Sequence, residues 1–248
     1  MDIEKLMKAI DIRRSRRKFR EIPIEPHDIT KLKQLIEEYN NVANIRMELV
    51  TNNGKAFNGF TKSYGMFSGV NDYIGLIANK EDHDAAERIG YYGELVILHA
   101  TIMGLGTCWV GGTFSRSNMP FSVAGNESVI GAIIVGNNDK DDSFKEKMIR
   151  NFSHRKSKSL KEMYSSDAPL PDWFTQGMEA VSKAPSAMHR QPVSFTYESG
   201  KVTAGVKDIS GFLMAFDLGI AKLHFELGAG GGKWAWGNNG EFTHGIDS

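Results

Sequence analysis

Three short segments carry residue types suited to holding a ligand. The first, Arg13-Arg-Ser-Arg-Arg-Lys-Phe-Arg20, has six cations in eight positions. Arginine offers a planar fork of donors that matches phosphate geometry, and Ser15 sets a short hydroxyl donor among those forks. The same run also reads as a solvated basic face or a nuclear-localisation-like sequence. Its ending in Phe19, and its position between apolar helical segments, favour packed structure over a tail.

The second segment, Ala184-Pro-Ser-Ala-Met-His-Arg-Gln-Pro192, is stiffened by prolines at both ends, and each keeps the residue before it out of helical conformation. Ser186, His189 and Gln191 offer donors and acceptors to a flat polar heterocycle. A plain helix-to-strand connection is the competing reading. The third segment, Gly104-Leu-Gly-Thr-Cys-Trp-Val-Gly-Gly112, permits close backbone approach to a ligand near Val110 to Thr113. It matches neither GxGxxG nor a Walker pattern, and it follows a helix rather than a strand, so it is a poor phosphate loop. Cys108 reads as a buried structural thiol. The seven histidines show no metal-ligand spacing, and CxxC and HExxH are absent from the sequence. His99 and His224 sit at similar places in two long helical stretches and read as core residues.

The elements that must position these segments follow from periodicity. Apolar residues at Ile3, Leu6, Met7, Ala9 and Ile10 predict a helix over 2–12. Asp28 is the expected N-cap of a second helix that carries Ile29, Leu32, Leu35 and Ile36 on one face, with a turn at Asn40-Asn41. Strands are predicted over 45–50, 73–78 and 129–135. A long helix over 82–103, with Ala85, Ile89, Tyr92, Val96 and Met103 on its stripe, stops at Gly104-Leu-Gly106. Residues 52–72 read as loop with one short helix, and 137–142 as a polar turn.

The order then recurs loosely. A helix over 174–181, a strand over 193–197, a turn at 198–201 and a long helix over 212–227 run into Gly228, Gly230, Gly231, Gly232 and Trp234. Gly104, Gly106 and Trp109 hold that place earlier, which points to an internal duplication.

Composition narrows the classes of function. Thirty basic and thirty acidic residues cancel, so no global field favours nucleic acid or an anionic membrane, and any anion recognition must be local. A single cysteine excludes an intrachain disulfide and fits a reducing compartment. No apolar run reaches the roughly 18–20 residues of a membrane helix, and the first residues lack a signal-peptide core; a cytoplasmic protein is expected.

Taken together, the three segments resemble the FMN-dependent nitroreductases. Arg13-Arg-Ser-Arg-Arg-Lys-Phe19 is similar to that family's RxSxRxF opening, Ala184–Pro192 to its APSxxNxQPW segment, and Gly104–Gly111 to its GLGxxWxG stretch. His189 and Val193 stand where the family has Asn and Trp. The resemblance implies an α+β fold, a mainly antiparallel sheet flanked by helices, here as two half-repeats forming a pseudo-dimer. The first half spans 1–157 and the second, shorter half 158–248. The Pro-Ser loop is missing from the first half at 41–46, and the arginine cluster from the second. Such complementary losses are expected of the single-chain branch of this superfamily.

By the same likeness, Arg13, Arg14, Ser15 and Arg17 would hold the FMN phosphate, joined by Arg155. Pro185, Ser186, Ala187, Met188 and Gln191 would line the ring and ribityl chain, and backbone at Val110, Gly111 and Gly112 would face the reactive edge. The implied activity is electron transfer from NAD(P)H to a nitro, quinone or similar acceptor, with no catalytic side chain named and no metal. A flavin-sequestering protein and a flavin-fragmenting enzyme are the alternatives. The expected partner is a small-molecule substrate, without nucleic acid or membrane, for a monomeric pseudo-dimer or weak homodimer.

Overall fold

The computed structural model describes residues 2–57, 66–139, 157–208 and 211–245. Among them are five α-helices: α1 (Ile3–Ile12), α2 (Pro26–Ala43), α3 (Ala85–Ile102), α4 (Asp172–Ser182) and α5 (Phe212–Gly228). The strands are β1 (Arg46–Val50), β2 (Asp72–Asn79), β3 (Gly106–Val110), β4 (Glu127–Gly136), β5 (Tyr164–Ser166), β6 (Ser194–Glu198), β7 (Lys201–Gly205), β8 (Gly232–Trp234) and β9 (Gly240–His244). The fold is α+β with mainly antiparallel sheets, as expected; β5 alone runs parallel to its neighbour β6.

The chain packs as two compact units, and neither is one continuous segment. One holds 12–85 and 96–154; the other gathers 1–11, 86–95 and 155–248. The division at residue 157 follows the order of elements along the chain. Packing follows contacts instead, so α1 and the first part of α3 belong with the C-terminal portion.

In the first unit four strands lie in the order β1-β2-β4-β3, every neighbouring pair antiparallel. β2 is buried from Asp72 to Ala78, as its unbroken apolar run requires of a central strand. Phe57, Tyr73, Phe114 and Phe19 share one apolar cluster on this sheet. In the second unit the order is β5-β6-β7-β9-β8. β6 and β7 form a hairpin whose turn residues Ser199 (φ 51°) and Gly200 (φ 79°) are both left-handed, the conformation of a tight two-residue turn. Stacked and edge-on rings of Phe195, Phe225, Trp234 and Phe242 fill its core.

The two sheets share one connectivity. Leaving β5 aside, in each a helix leads into a strand, a second strand pairs with it, a long helix follows, and the last two strands complete the order. The long helices also end alike. After Met103, Gly104 turns left-handed (φ 82°) and the Leu105 N–H donates to Ala100 O; after Ala229, Gly230 does so (φ 85°) and the Gly231 N–H donates to Glu226 O. Glycine takes this conformation without the penalty a Cβ brings.

Several local expectations are corrected. Helix α2 begins at Pro26, where a missing N–H costs nothing, so Asp28 lies inside its first turn rather than at the cap. Asn40 and Asn41 are helical, and the stop falls at Asn44 in left-handed conformation. Asn40 is used by tertiary contact: its amide donates to Met47 O and accepts from the Met47 N–H, tying α2 to β1. The connection after β1 opens with a 3-10 turn at Gly54–Ala56, in keeping with the loop and short helix expected there. The third glycine-rich segment is largely strand β3. His99 and His224 are not equivalent: they precede their caps by four and five residues, and only His224 is fully buried.

Candidate functional site

The arginine segment is held extended by backbone bonds on both sides. Ser15 bridges Thr107 of β3 and Lys18 bridges Ser68. The Arg16 N–H donates to Thr107 O at 2.8 Å, the Phe19 N–H to Ser68 O at 2.9 Å, and the Ser68 N–H to Arg17 O at 3.0 Å. Extended backbone alternates its side chains, so Ser15, Arg17 and Phe19 fall on one side. Phe19 anchors that side in the core at 5% exposure, while Ser15 and Arg17 are half-buried beside it. Arg13 is half-buried too. Arg14, Lys18 and Arg20 are exposed; the Arg14 guanidinium turns back to donate to Arg13 O at 2.8 Å. Arg16 is half-buried as well, so the RxSxRxF segment is an extended stretch that gathers guanidinium and hydroxyl groups and buries its last ring. Arg155 lies outside the described residues.

In the same unit β3 ends at Val110, whose side chain is buried. Gly111 is half-buried and Gly112 exposed. A Cβ built on Gly112 meets none of the described residues within 4 Å. Cys108 is buried at 4% exposure, in keeping with a structural thiol.

The proline-bounded loop belongs to the other unit. Ala187–His189 make a 3-10 turn, and Met188 (φ 53°), His189 (φ 53°) and Gln191 (φ 46°) all take left-handed backbone. Such conformations are costly for residues with side chains and persist where the surroundings hold them. Here the restraints are many. Ser186 Oγ accepts the Gln191 N–H at 2.9 Å, Lys158 Nζ donates to Gln191 O at 2.7 Å, and Ser157 Oγ lies 3.0 Å from His189 Nε2. Asp217 on α5 accepts the Ala187 N–H with both carboxylate oxygens, at 3.0 and 3.1 Å. Burial pushes the Asp217 carboxyl up to about 7 against the pull of that N–H and of Arg190. Met188, at 70% exposure, is the side chain the loop presents outward.

Gln191 corrects its expectation. Its Oε1 accepts the Lys158 N–H at 2.9 Å, its Nε2 donates to Ser182 O at 3.3 Å, and the residue is 5% exposed. The left-handed backbone turns this amide inward, where it locks the loop rather than offering itself to a ligand. Lys158 and Asp217, which sequence reasoning missed, are the loop's supports. Asp217 is signalled only as a polar side chain within an otherwise apolar helical run, and Lys158, in a polar stretch, carries no signal.

A second polar cluster escaped the sequence entirely. Lys222, fully buried on α5, donates to Glu87 Oε1 at 2.5 Å, to Ala235 O at 2.9 Å and to Gly237 O at 2.9 Å. Glu87 Oε2 accepts the Gly237 N–H at 2.8 Å. His224 faces Glu94 Oε1 at 3.2 Å and Ala180 O at 3.1 Å through its two ring nitrogens. These groups are saturated from within the protein. No group of three or more His, Cys, Asp or Glu able to hold a metal occurs among the described residues.

Two mainly antiparallel sheets, an extended arginine-serine segment and a stiff proline-serine loop define a nitroreductase-like α+β protein. A family model described as "Putative TM nitroreductase" matches residues 5–229, and the chain belongs to that family. Among solved structures, the "putative nitroreductase" of Thermotoga maritima is 20% identical, with a TM-score of 0.63, over 98% of this chain and 94% of that one. An FMN-dependent nitroreductase of Clostridium difficile (18% identity, TM-score 0.44) covers 56% of this chain and 92% of its own. A Bacteroides fragilis nitroreductase with bound FMN (16% identity, TM-score 0.44) covers 57% and 92%. No protein with a curated description matches the sequence. Among the described residues no helix is long and apolar enough to cross a membrane.

Proposed function

We propose that this chain is an FMN-dependent oxidoreductase of the nitroreductase type, moving electrons from NAD(P)H to a nitro, quinone or similar acceptor. The observation that carries the reading is the Ser15–Phe19 strand, in a chain that belongs to a nitroreductase family. Its donor set suits a phosphate: guanidinium forks give paired charge-assisted bonds, and the Ser15 hydroxyl adds a second kind of donor beside them. Phe19 fixes that strand in the core, so the donors are placed before a ligand arrives. No described residue crowds Gly112, which suits close approach of a flat ring to backbone.

In this reading Arg13, Ser15 and Arg17 hold the phosphate, with Arg155 as a further cation. Arg14 turns to its neighbour's carbonyl and contributes charge rather than contact. Backbone at Val110, Gly111 and Gly112 lies along the ring edge. Pro185, Ser186, Ala187 and Met188 line the ring and ribityl chain, and Gln191 keeps them in place. When bound, FMN supplies the hydride-accepting and electron-donating chemistry. The protein's own tasks are to clamp, to orient and to leave room for a second small molecule. No side chain is needed as a general acid or base.

We also infer that the chain is an internal duplication, with repeats over 1–157 and 158–248, functioning as a monomeric pseudo-dimer in the cytoplasm. The shared strand order and the matched helix ends support it.

The test is purification followed by an absorbance spectrum before and after NADH or NADPH. Bound flavin that is bleached by nicotinamide and recovers with an acceptor is the expected result. Bound flavin with no turnover would make this a flavin-sequestering protein, and breakdown products of FMN would make it a flavin-fragmenting enzyme. The Arg13→Ala/Arg17→Ala protein should lose flavin while keeping its circular dichroism; if it stays yellow, the phosphate assignment fails.

A further inference from the structure

We propose that Asp217 is the positioning residue of the Pro185–Pro192 loop, its buried carboxylate gripping the Ala187 N–H so that the residues after it keep the left-handed backbone in which a ligand meets them. The idea deepens the flavin reading and rests on it for the identity of the ligand.

The geometry is specific. Asp217 is 4% exposed, and both of its oxygens lie within hydrogen-bond distance of one backbone N–H. That N–H belongs to the residue that opens the 3-10 turn, just ahead of Met188 and His189 in their left-handed conformations. The walls around the carboxylate are mostly apolar: Met163 before β5, Val181 on α4, Ala184 just after it, Val193 before β6 and Ala221 on α5 itself, with Ser186 and Gln191 of the loop as the polar members. None of these titrates. The charged side chain that acts on Asp217 is Arg190, on the loop it grips. A carboxylate placed in apolar surroundings pays a desolvation cost that packing alone would not select. Leucine or alanine would fill the position more cheaply unless the loop needed an acceptor there.

The charge state then bears on the site. A carboxylate accepts the N–H as a charge-assisted bond; the protonated acid accepts it more weakly. Because burial has raised this group to about 7, the grip is full above neutral pH and slackens as pH falls through that value. Tighter FMN binding on the alkaline side should follow.

Two measurements on the full chain test this. In wild type the Ala187 amide proton should titrate by NMR with a midpoint near 7, and in Asp217→Asn that titration should vanish. FMN titrations from about pH 5.5 to about 8.5 should show Asp217→Asn binding roughly tenfold more weakly than wild type at the alkaline end, with the two curves converging at the acidic end. The phosphate of FMN also titrates near 6, but equally for both proteins, so their ratio isolates Asp217. A merely structural role would lower the thermal midpoint and weaken binding by one factor at every pH. That result overturns the proposal, as does an Ala187 amide indifferent to pH or an Asp217→Asn affinity within twofold of wild type throughout. If the Ala187 amide titrates as expected but no form of the protein binds FMN, the positioning role stands and the flavin reading falls.

Discussion

Replacing Lys222 by methionine is expected to cost about 3–5 kcal/mol of stability. The side chain is fully buried, and its ammonium has three acceptors for three protons: Glu87 Oε1, Ala235 O and Gly237 O. Methionine matches its length and supplies none of those donors. Ala235 and Gly237 lie at or near the surface, so their carbonyls can turn to water at small cost. Glu87, at 1% exposure, cannot; it still accepts the Gly237 N–H, but losing the ammonium beside its buried carboxylate supplies most of the loss. For a chain of this length that is a fall of roughly 10 °C in Tm. Glu87→Gln alone should also destabilise, by stranding the ammonium. The double variant Glu87→Gln/Lys222→Met removes both charges, so its loss should fall short of the sum by about 2 kcal/mol. Guanidinium unfolding followed by tryptophan fluorescence is a suitable assay, because Lys222 Nζ lies 5.4 Å from the Trp234 ring centroid and Trp234 Nε1 donates to Lys222 O. Additivity within about 0.5 kcal/mol, or a Lys222→Met cost below about 1 kcal/mol, would refute the reasoning.

Tyr73→Phe should leave stability unchanged or raise it by up to about 1 kcal/mol, because the buried Tyr73 hydroxyl has no hydrogen-bond partner among the described residues; a clear loss on chemical denaturation would contradict this. Gly219→Ala should destabilise by about 3 kcal/mol or more, since the added Cβ would lie 1.9 Å from Glu87 O where α3 and α5 meet; a neutral effect on Tm would show that the helices can part. Burial raises the Glu226 carboxyl to about 7, so the folded protein keeps a proton that the unfolded chain gives up near 4. Its contribution is therefore favourable at acidic pH and is lost as pH rises through that window to about 7, and Glu226→Gln should flatten the stability profile there; an unchanged slope would rule the assignment out.

The local elements were written in local chemistry. Apolar periodicity located α1, α3, α5 and the central strand β2, because each buries a stripe or a face that repeats at its own backbone period. Glycines marked the ends of α3 and α5 because a left-handed residue is cheapest without a Cβ. The Phe19 that closes the arginine cluster marked that segment as packed structure rather than a tail, and the ring is buried. Tertiary structure decided what depends on partners far along the chain. Whether Asn40 ends a helix or ties it to a strand, whether Gln191 faces a ligand or the core, and which strands are neighbours are all settled by pairing. Lys222 and Glu87 show this most plainly: 135 residues separate them, and each in its own helix looks like an ordinary surface charge. Only the fold that buries both makes either tolerable, because a charge leaves water at a cost that a distant, well-placed opposite charge alone offsets.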